Sequence, residues 1–310
     1  MTIRTRKITD REEWLTKWRP PNMNASESGA LFGIDKHCTP LELYHRKIGT
    51  IGPEEENEAM RRGRWLEPAV LKATAELRPD LEITTPDVYI DDPELRIGCT
   101  PDAFATNKKG QRGVVQAKTV GAHVYKAWAE EAGVNDPSAP LSYELQTMVE
   151  AAQTMRADFA VLSLMIVGYR VDMRILPVPI LTRTWDSFLK RTKRFWIDVE
   201  QRRPPPVTAP DDSDLLKQLY PGQPGLSVDL TGNNMLPELL DKHEELAATL
   251  REGRAPLKAV EKEYEAVRTH IKAIVGDAET AYLPGNKLAT FKSQTNPGWT
   301  ARVLRISNIK

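Results

Sequence analysis

Gly98–Cys99–Thr100–Pro101–Asp102 is followed along the chain by Gln116–Ala117–Lys118, and these two stretches decide the fold. The first predicts a strand that ends at an acidic residue, and the second predicts another strand reached through a turn. Side chains alternate between the two faces of a strand, so Gln116 and Lys118 point to the same face. The pattern therefore predicts three polar side chains, including that of Asp102, along one edge of a hairpin.

Oxygen atoms dominate this polar set, and oxygen is the ligand that a hard divalent cation such as Mg²⁺ requires. Asp102, the side-chain oxygen of Gln116 and the main-chain carbonyl of Ala117 can supply such ligands. Lys118 can orient or deprotonate an attacking water, or stabilise a pentacovalent phosphate. A Pro-Asp pair is also common in ordinary turns, so the pattern has a purely structural alternative.

A second acid is predicted from a long helix over 54–76. Glu67 precedes Pro68, where the helix is expected to kink, and from there it can face the hairpin. A lone glutamate on a helix is more often a solvated surface acid. Trp65 and Pro68 can likewise do no more than fill a core and define a bend.

The order of the predicted elements indicates an α/β (α+β) core with a central sheet flanked by helices. An apolar run over 159–167 predicts a buried strand, and the alternating stretch over 170–176 predicts its half-exposed neighbour. The other elements predicted for this core are strands over 81–90, 95–99 and 114–119 and helices over 141–155 and 182–201.

Three regions are expected along the chain. A catalytic domain is predicted over 1–205, a Pro-rich linker over 206–231, and a helical accessory region over 232–310 that ends in short strands. Leucines in the last region recur at heptad-like spacing, which predicts a helical hairpin packed on the core or on a neighbouring subunit. These leucines are Leu236, Leu239, Leu240, Leu246 and Leu250.

Composition excludes some classes of protein and leaves others open. The chain has 310 residues, of which 40% are hydrophobic and 28% charged, as in an ordinary globular protein. Its 43 basic and 43 acidic residues balance, which weighs against nucleic-acid binding without excluding it, because charge can be concentrated in one channel. Two cysteines cannot build a four-cysteine metal site. No apolar run predicts a membrane span and no secretory signal is evident, so we expect a cytoplasmic protein without membrane contact.

Five short motifs in order resemble the YqaJ-type viral recombinase (phage lambda exonuclease) family of the PD-(D/E)XK nuclease superfamily. The resemblance covers residues 15–180, more than half of the chain. The motifs are Ala25–Ser26–Glu27, the pair Gly63 and Glu67, Pro101–Asp102, the strand with Gln116 and Lys118, and Tyr143–Glu144–Leu145–Gln146.

The resemblance implies a restriction-endonuclease-like core with a mixed β-sheet. It also implies hydrolysis of linear double-stranded DNA in the 5′ to 3′ direction during phage-type recombination, with two Mg²⁺ ions per site and Mn²⁺ as a substitute. Carried over to this sequence, Glu67, Asp102 and Gln116 are metal ligands and Lys118 is the catalytic lysine. Gln146 is expected to hold the nucleophilic water or a neighbouring phosphate. The expected partners are DNA ends, a single-strand annealing protein and further copies of the chain, typically in a trimer.

Arg19 and Ser26 are spaced like the family's basic residue and serine that receive the DNA 5′-phosphate. Each has an ordinary alternative that the sequence leaves open. Arg19 can be an exposed cation after a helix, and Ser26 can be a helix N-cap.

Gln116 departs from the family, which usually has glutamate at this position. An amide offers a neutral oxygen instead of a carboxylate, so metal affinity should fall. Other branches of the superfamily resemble this chain in using Gln-x-Lys, which keeps an active nuclease as the main hypothesis. The alternatives are a catalytically weakened module that binds DNA ends and an endonuclease of the same superfamily.

Overall fold

The computed structural model describes residues 2–52, 56–134, 138–154, 157–252, 257–296 and 299–309. They fall into two compact units. The first unit comprises Met1–Cys38 and Pro53–Arg203, and the second comprises Thr39–Gly52 and Pro204–Lys310. None of the helices in the described ranges is long and apolar enough to cross a membrane.

Helices and strands alternate along both units. The helices are α1 (Arg11–Glu13), α2 (Ser28–Phe32), α3 (Pro40–Lys47), α4 (Glu58–Leu77), α5 (Ala122–Ala132), α6 (Leu141–Gln153), α7 (Thr182–Glu200), α8 (Ser213–Leu219), α9 (Leu236–Glu252) and α10 (Leu257–Val275). A π-helical segment (Trp14–Trp18) and a 3₁₀ turn (Ala25–Glu27) accompany them. The strands are β1 (Arg4–Lys7), β2 (Met23–Asn24), β3 (Leu81–Thr84), β4 (Val88–Asp92), β5 (Ile97–Cys99), β6 (Ala103–Asn107), β7 (Arg112–Gly121), β8 (Phe159–Val167), β9 (Val171–Val178), β10 (Gln223–Asp229), β11 (Ala278–Leu283), β12 (Lys287–Asn296) and β13 (Trp299–Asn308).

The main sheet of the first unit has the order β3-β6-β7-β8-β9. Strands β7 and β8 run parallel, whereas the other neighbours are antiparallel, so the sheet is mixed. Seven of the nine residues of β8 are buried, as expected for a strand covered on both faces. The predicted mixed sheet flanked by helices is therefore confirmed.

Strand β7 presents its two faces to different helices. Val115 and Ala117 pack in a core with Val70 and Leu71 of α4. Because side chains alternate, Gln116 and its neighbours of the same parity point to the opposite face of the sheet. The alternation predicted from the sequence thus places apolar side chains on the face toward α4 and Gln116 and Lys118 on the other face.

Strand β5 leads into the polar stretch of the first unit. Gly98 on β5 must be a glycine, because a Cβ atom there would lie 2.0 Å from the hydroxyl oxygen of Tyr89. That hydroxyl donates to Asn24 Oδ1 at 2.9 Å and accepts from Asn22 Nδ2 at 3.1 Å. Tyr89, which lies on β4, therefore packs on Gly98 of β5 and hydrogen-bonds with the residues just before the 3₁₀ turn.

Helix α4 begins after Asn57, whose side chain accepts a 2.9 Å hydrogen bond from the main-chain N–H of Met60. Pro68 lies inside the helix. Proline has no N–H, so the carbonyl four residues earlier loses its helical partner at this turn. The helix nevertheless continues to Leu77 and carries Glu67 beside the proline.

The second unit contains a sheet of order β10-β11-β12-β13 and its own core. Leu236, Leu240 and Leu246 of α9 share a core with Ile271 of α10 and with sheet residues such as Phe291. The leucine pattern thus marks a helical pair that packs on the sheet of its own unit. Residues 206–231, expected to be a linker, contain α8 and β10. Proline composition masked these elements, because β10 pairs with β11, which lies far along the sequence.

Candidate active site

One cleft of the first unit, with a volume of about 1970 Å³, brings together every site residue that the sequence suggested. Elements far apart in sequence contribute to it, namely α4, the β5–β6 connection, β7 and α6. The predicted residues along its wall are Arg19, Ser26, Glu67, Asp102, Gln116, Ala117, Lys118 and Gln146.

Asp102 lies beside β7 because Ala103 pairs with Val115 in the antiparallel register, which places the preceding residue next to Gln116. Its Oδ2 accepts a 2.5 Å hydrogen bond from Gln116 Nε2 and a 2.8 Å bond from the N–H of Ala117. Burial raises the pKa of Asp102, while Lys118 and the two hydrogen bonds oppose the rise. The carboxylate is thus held in place by the strand that carries its two neighbours.

Gln116 is buried, with 3% of its surface exposed. An ionised carboxylate only accepts hydrogen bonds, so the amide must turn its NH₂ group toward Asp102. Its Oε1 atom then points elsewhere and has no hydrogen-bond partner in the described part of the chain. A buried carbonyl oxygen without a partner is costly, and it is available to a ligand.

Lys118 donates a 2.9 Å hydrogen bond from Nζ to Gln146 Oε1. Its ammonium group also lies 5.3 Å from the ring centre of Tyr143. Gln146 in turn donates from Nε2 to Glu150 Oε1 at 2.9 Å. Helical spacing places these three α6 residues on one face, and that face holds the lysine in the cleft.

Glu67 approaches from α4, which packs on the face of β7 opposite to Gln116. Burial and the negative charge of Asp102 raise the pKa of Glu67 to about 7, and Lys118 opposes this rise. The pKa of a solvated surface acid would not depend in this way on burial and on the charges of the cleft. The glutamate therefore belongs electrostatically to the same group as Asp102.

Glu150 was missed by the sequence analysis. It lines the same cleft and is 1% exposed, and its Oε2 has no hydrogen-bond partner among the described residues. Burial and Asp102 raise its pKa to about 8. The available signal was a glutamate one helical turn after Gln146, on the same face of α6.

Arg19 and Ser26 contact each other at the cleft wall. Arg19 Nη2 donates a 2.9 Å hydrogen bond to Ser26 Oγ, and its guanidinium group lies 5.0 Å from the ring of Trp14. The N-cap of the 3₁₀ turn is Asn24, which forms a capping box with Glu27. The alternative reading of Ser26 as an N-cap is therefore wrong.

The donor chemistry of the cleft fits a hard divalent cation. Its candidate ligands are carboxylate, amide and carbonyl oxygens, and two of these oxygens are buried without a partner, Gln116 Oε1 and Glu150 Oε2. The polar side chains of the cleft are hydrogen-bonded to one another. Within the described ranges, no three His, Cys, Asp or Glu residues lie close enough together to hold a metal. A cation would therefore have to draw the carboxylates closer.

The fold and the cleft define the class: a mixed α/β domain in which carboxylates, amides and one lysine meet beside the central sheet. Residues 13–157 match the family model of the YqaJ-like viral recombinase domain. The match over this segment confirms the resemblance to that family seen in the sequence.

Several solved nuclease structures align with the chain at low identity. The alkaline exonuclease LHK-Exo from Laribacter hongkongensis is 17% identical with a TM-score of 0.47, and the alignment covers 62% of this chain and 94% of that chain. Its complex with dAMP gives a TM-score of 0.48 at the same identity and coverage. The shutoff and exonuclease protein of Kaposi's sarcoma-associated herpesvirus is 9% identical with a TM-score of 0.35, covering 60% and 68% of the two chains. No curated protein sequence is significantly similar. At these values the similarities identify neither an activity nor a ligand.

Proposed function

We propose that the first unit is a metal-dependent exonuclease that hydrolyses linear double-stranded DNA in phage-type recombination. The observation that carries the proposal is the placement of Asp102, Gln116 and Lys118 in one cleft, joined to α6 through Gln146. The family of residues 13–157 supports a role in viral recombination. Acid, amide and lysine together provide what phosphodiester hydrolysis needs, namely cation ligands and a positively charged group.

Mg²⁺, with Mn²⁺ as a substitute, is the proposed cofactor, at two ions per site. Asp102, Gln116 Oε1, the carbonyl of Ala117 and Glu67 are the residues that would hold it. A bound divalent cation neutralises phosphate charge and lowers the pKa of water.

The chain's own groups position the reaction. The oxygen of a water molecule forms a bond to phosphorus and that water loses a proton to solvent. The bond from phosphorus to the leaving 3′-oxygen breaks, and the 3′-oxygen takes a proton from solvent. Lys118, held by Gln146, presents its positive charge in the cleft, where it stabilises charge developing on the phosphate. Gln146 therefore acts as a positioning residue for the lysine.

The 5′ to 3′ direction is proposed from Arg19 and Ser26. A guanidinium group and a hydroxyl group that are hydrogen-bonded at 2.9 Å can both turn toward the same phosphate oxygens. They line the same cleft as Lys118, so a terminal 5′-phosphate bound there would leave the next phosphodiester bond inside the cleft. This arrangement favours DNA with a phosphorylated 5′ end.

A trimeric assembly, a single-strand annealing partner and a cytoplasmic location are further parts of the proposal, and they rest on the family resemblance and the sequence. Light scattering coupled to size-exclusion chromatography tests the assembly directly. A monomer at micromolar concentration would count against a ring that encloses DNA.

The activity is tested by incubating the full chain with linear duplex DNA labelled at one end, with Mg²⁺ or Mn²⁺. We expect release of mononucleotides from 5′-phosphorylated ends, and slower release from 5′-hydroxyl ends. A folded protein that cleaves nothing with either metal contradicts the proposal. In that case, retained binding to DNA ends would favour the non-catalytic module that the neutral Gln116 allows.

A closed circular duplex separates exonuclease from endonuclease activity. An exonuclease leaves the circle intact and degrades it only after it has been linearised. Cleavage of the intact circle would assign the cleft to an endonuclease of the same superfamily.

A further inference from the structure

Glu150 is a buried glutamate in the wall of the cleft. It lies on α6, four residues after Gln146, and its side chain is 1% exposed. Its Oε1 accepts a 2.9 Å hydrogen bond from Gln146 Nε2, whereas its Oε2 has no hydrogen-bond partner in the described ranges. The glutamate lines the cleft together with Asp102 and Gln116.

The surroundings of Glu150 do not neutralise its charge. Asp102 is a like charge that raises the pKa of Glu150, and the hydrogen bond from Gln146 and the charge of Lys118 only partly offset burial and repulsion. Burying a carboxylate without a bonded cation is costly. A glutamine at this position would accept the same hydrogen bond at no such cost. The scaffold alone therefore does not account for a carboxylate at this position.

Gln116 and Glu150 complement each other across the cleft. Val115 and Ala117 pack toward α4, so Gln116 and Lys118 point to the other face of β7, where Lys118 contacts α6. Among the described residues, Gln116 contributes a buried, unpartnered oxygen that stays neutral, and Glu150 contributes a buried, unpartnered carboxyl oxygen that becomes negative when the group loses its proton to bind a cation. Together they offer the oxygen and the charge that a single glutamate on β7 would provide.

We propose that Glu150 supplies, from helix α6, the negative charge for divalent-cation binding that Gln116 lacks on strand β7. This inference rests on the proposed function, because it adds a ligand to the cation site of the same cleft. Ligand charge drives much of the affinity for a hard cation. The charge should therefore work from either position, provided that one of the two residues is a carboxylate.

The experiment measures cation binding in the absence of DNA. Mn²⁺ is titrated calorimetrically into the full-length wild type, Glu150→Gln, and the double variant Gln116→Glu/Glu150→Gln, and the rise in Tm with Mn²⁺ is recorded for each. Glu144→Gln is the matched control, because it removes a carboxylate from the same helix outside the cleft.

Glu150→Gln should weaken Mn²⁺ binding by about tenfold or more and lose most of the rise in Tm. The double variant should regain an affinity near that of the wild type, and Glu144→Gln should match the wild type. Glu150→Gln that binds Mn²⁺ like the wild type overturns the proposal. If Glu150→Gln fails to fold, as judged by circular dichroism, the double variant decides: restored binding supports the exchange, and a folded variant without binding refutes it.

DNA cleavage by the same preparations separates the two proposals. A wild type that binds Mn²⁺ and cleaves DNA, beside a Glu150→Gln variant that binds equally well, removes only the role of Glu150. A wild type that neither binds Mn²⁺ nor cleaves DNA removes the proposed function, and the role of Glu150 with it.

Discussion

Two clusters of buried polar groups, one in each unit, are satisfied to different extents. In the second unit Arg302 is 6% exposed, and its guanidinium group donates to main-chain carbonyls. The acceptors are the carbonyls of Tyr220, Gly276, Ala278 and Phe291. Lys272, 4% exposed, donates to Glu265 Oε1 at 2.6 Å and to Ser213 Oγ at 3.3 Å. Both cations therefore have partners for their charge inside the unit.

The cleft of the first unit leaves buried acceptors open. Among the described residues, Gln116 and Glu150 each keep an oxygen without a hydrogen-bond partner, and burial raises the pKa of Asp102. Folded proteins satisfy nearly all of their buried polar atoms, so an open oxygen in a cleft beside groups with raised pKa values is a candidate ligand position. The comparison teaches that the two buried cations of the second unit are satisfied within their own unit, whereas two buried oxygens of the cleft are not.

Removal of the cleft's charged groups should produce the largest effect. Asp102→Ala and Lys118→Ala should each lower the cleavage rate by roughly 100- to 1000-fold, because each removes an electrostatic contribution to the transition state. Their Tm should stay close to that of the wild type. A time course with linear duplex DNA measures the rates, and Lys126→Ala, an exposed lysine on α5, is the control. Cleavage by Lys118→Ala at the control's rate would contradict the contrast.

Removal of a satisfied charge in the second unit should affect stability instead. Arg302→Ala leaves several buried carbonyls without donors, so we expect it to lower the free energy of unfolding by about 3 kcal/mol or more. Arg305→Ala, an exposed arginine on the same strand, should change it little. Urea titrations compare the two variants. Equal stabilities would show that the carbonyl contacts of Arg302 contribute little.

Tyr89 provides a smaller effect of the same kind within the first unit. Its hydroxyl group hydrogen-bonds with Asn22 and Asn24 in the interior, so it is a satisfied buried polar group. Tyr89→Phe should lower the free energy of unfolding by about 1–2 kcal/mol. Tyr169→Phe, at a fully exposed tyrosine, should leave it unchanged. A Tyr89 variant as stable as the control would remove this residue from the scaffold.

The last comparison concerns the pH dependence of stability without metal. The pKa of Glu67 is raised from its ordinary value of 4.5 to about 7, so the folded state binds more protons than the unfolded state between these values. The contribution of this group to stability must then fall as the pH rises from 4.5 to about 7. Glu67→Gln should flatten that part of the curve of Tm against pH in EDTA. Parallel curves for both proteins would show that Glu67 titrates normally.

Local periodicity was enough to predict that Gln116 and Lys118 lie on the same face of a strand. The alternation of β7 predicted that Gln116 and Lys118 share a face, and the buried run of β8 predicted the neighbouring strand. Glu150 was not predicted as a cleft residue, because the motif on α6 ends at Gln146. Only the packing of α6 shows that the next helical turn lines the cleft. Its burial without a partner is a tertiary property that no local pattern carries.

The boundaries of the second unit could not be predicted for a related reason. Residues 39–52 precede most of the first unit in sequence, yet they belong to the second. Strand β10 lies in a Pro-rich stretch and pairs in parallel with β11, about fifty residues further on. Such long-range pairing leaves no trace in local composition, so the stretch over 206–231 looked like a linker.

The hydrogen bond from the Gln116 amide to Asp102 competes with a cation for the same carboxylate oxygen. Asp102 Oδ2 already accepts two donors, the Gln116 amide and the N–H of Ala117, which uses both of its lone pairs. A cation can bind this oxygen only when the Gln116 side chain has changed its conformation and broken its hydrogen bond. Its apparent affinity is then the intrinsic affinity scaled by the fraction of molecules in the swung-away state. The side chain that lacks the family's charge would thereby also lower the apparent cation affinity of the cleft.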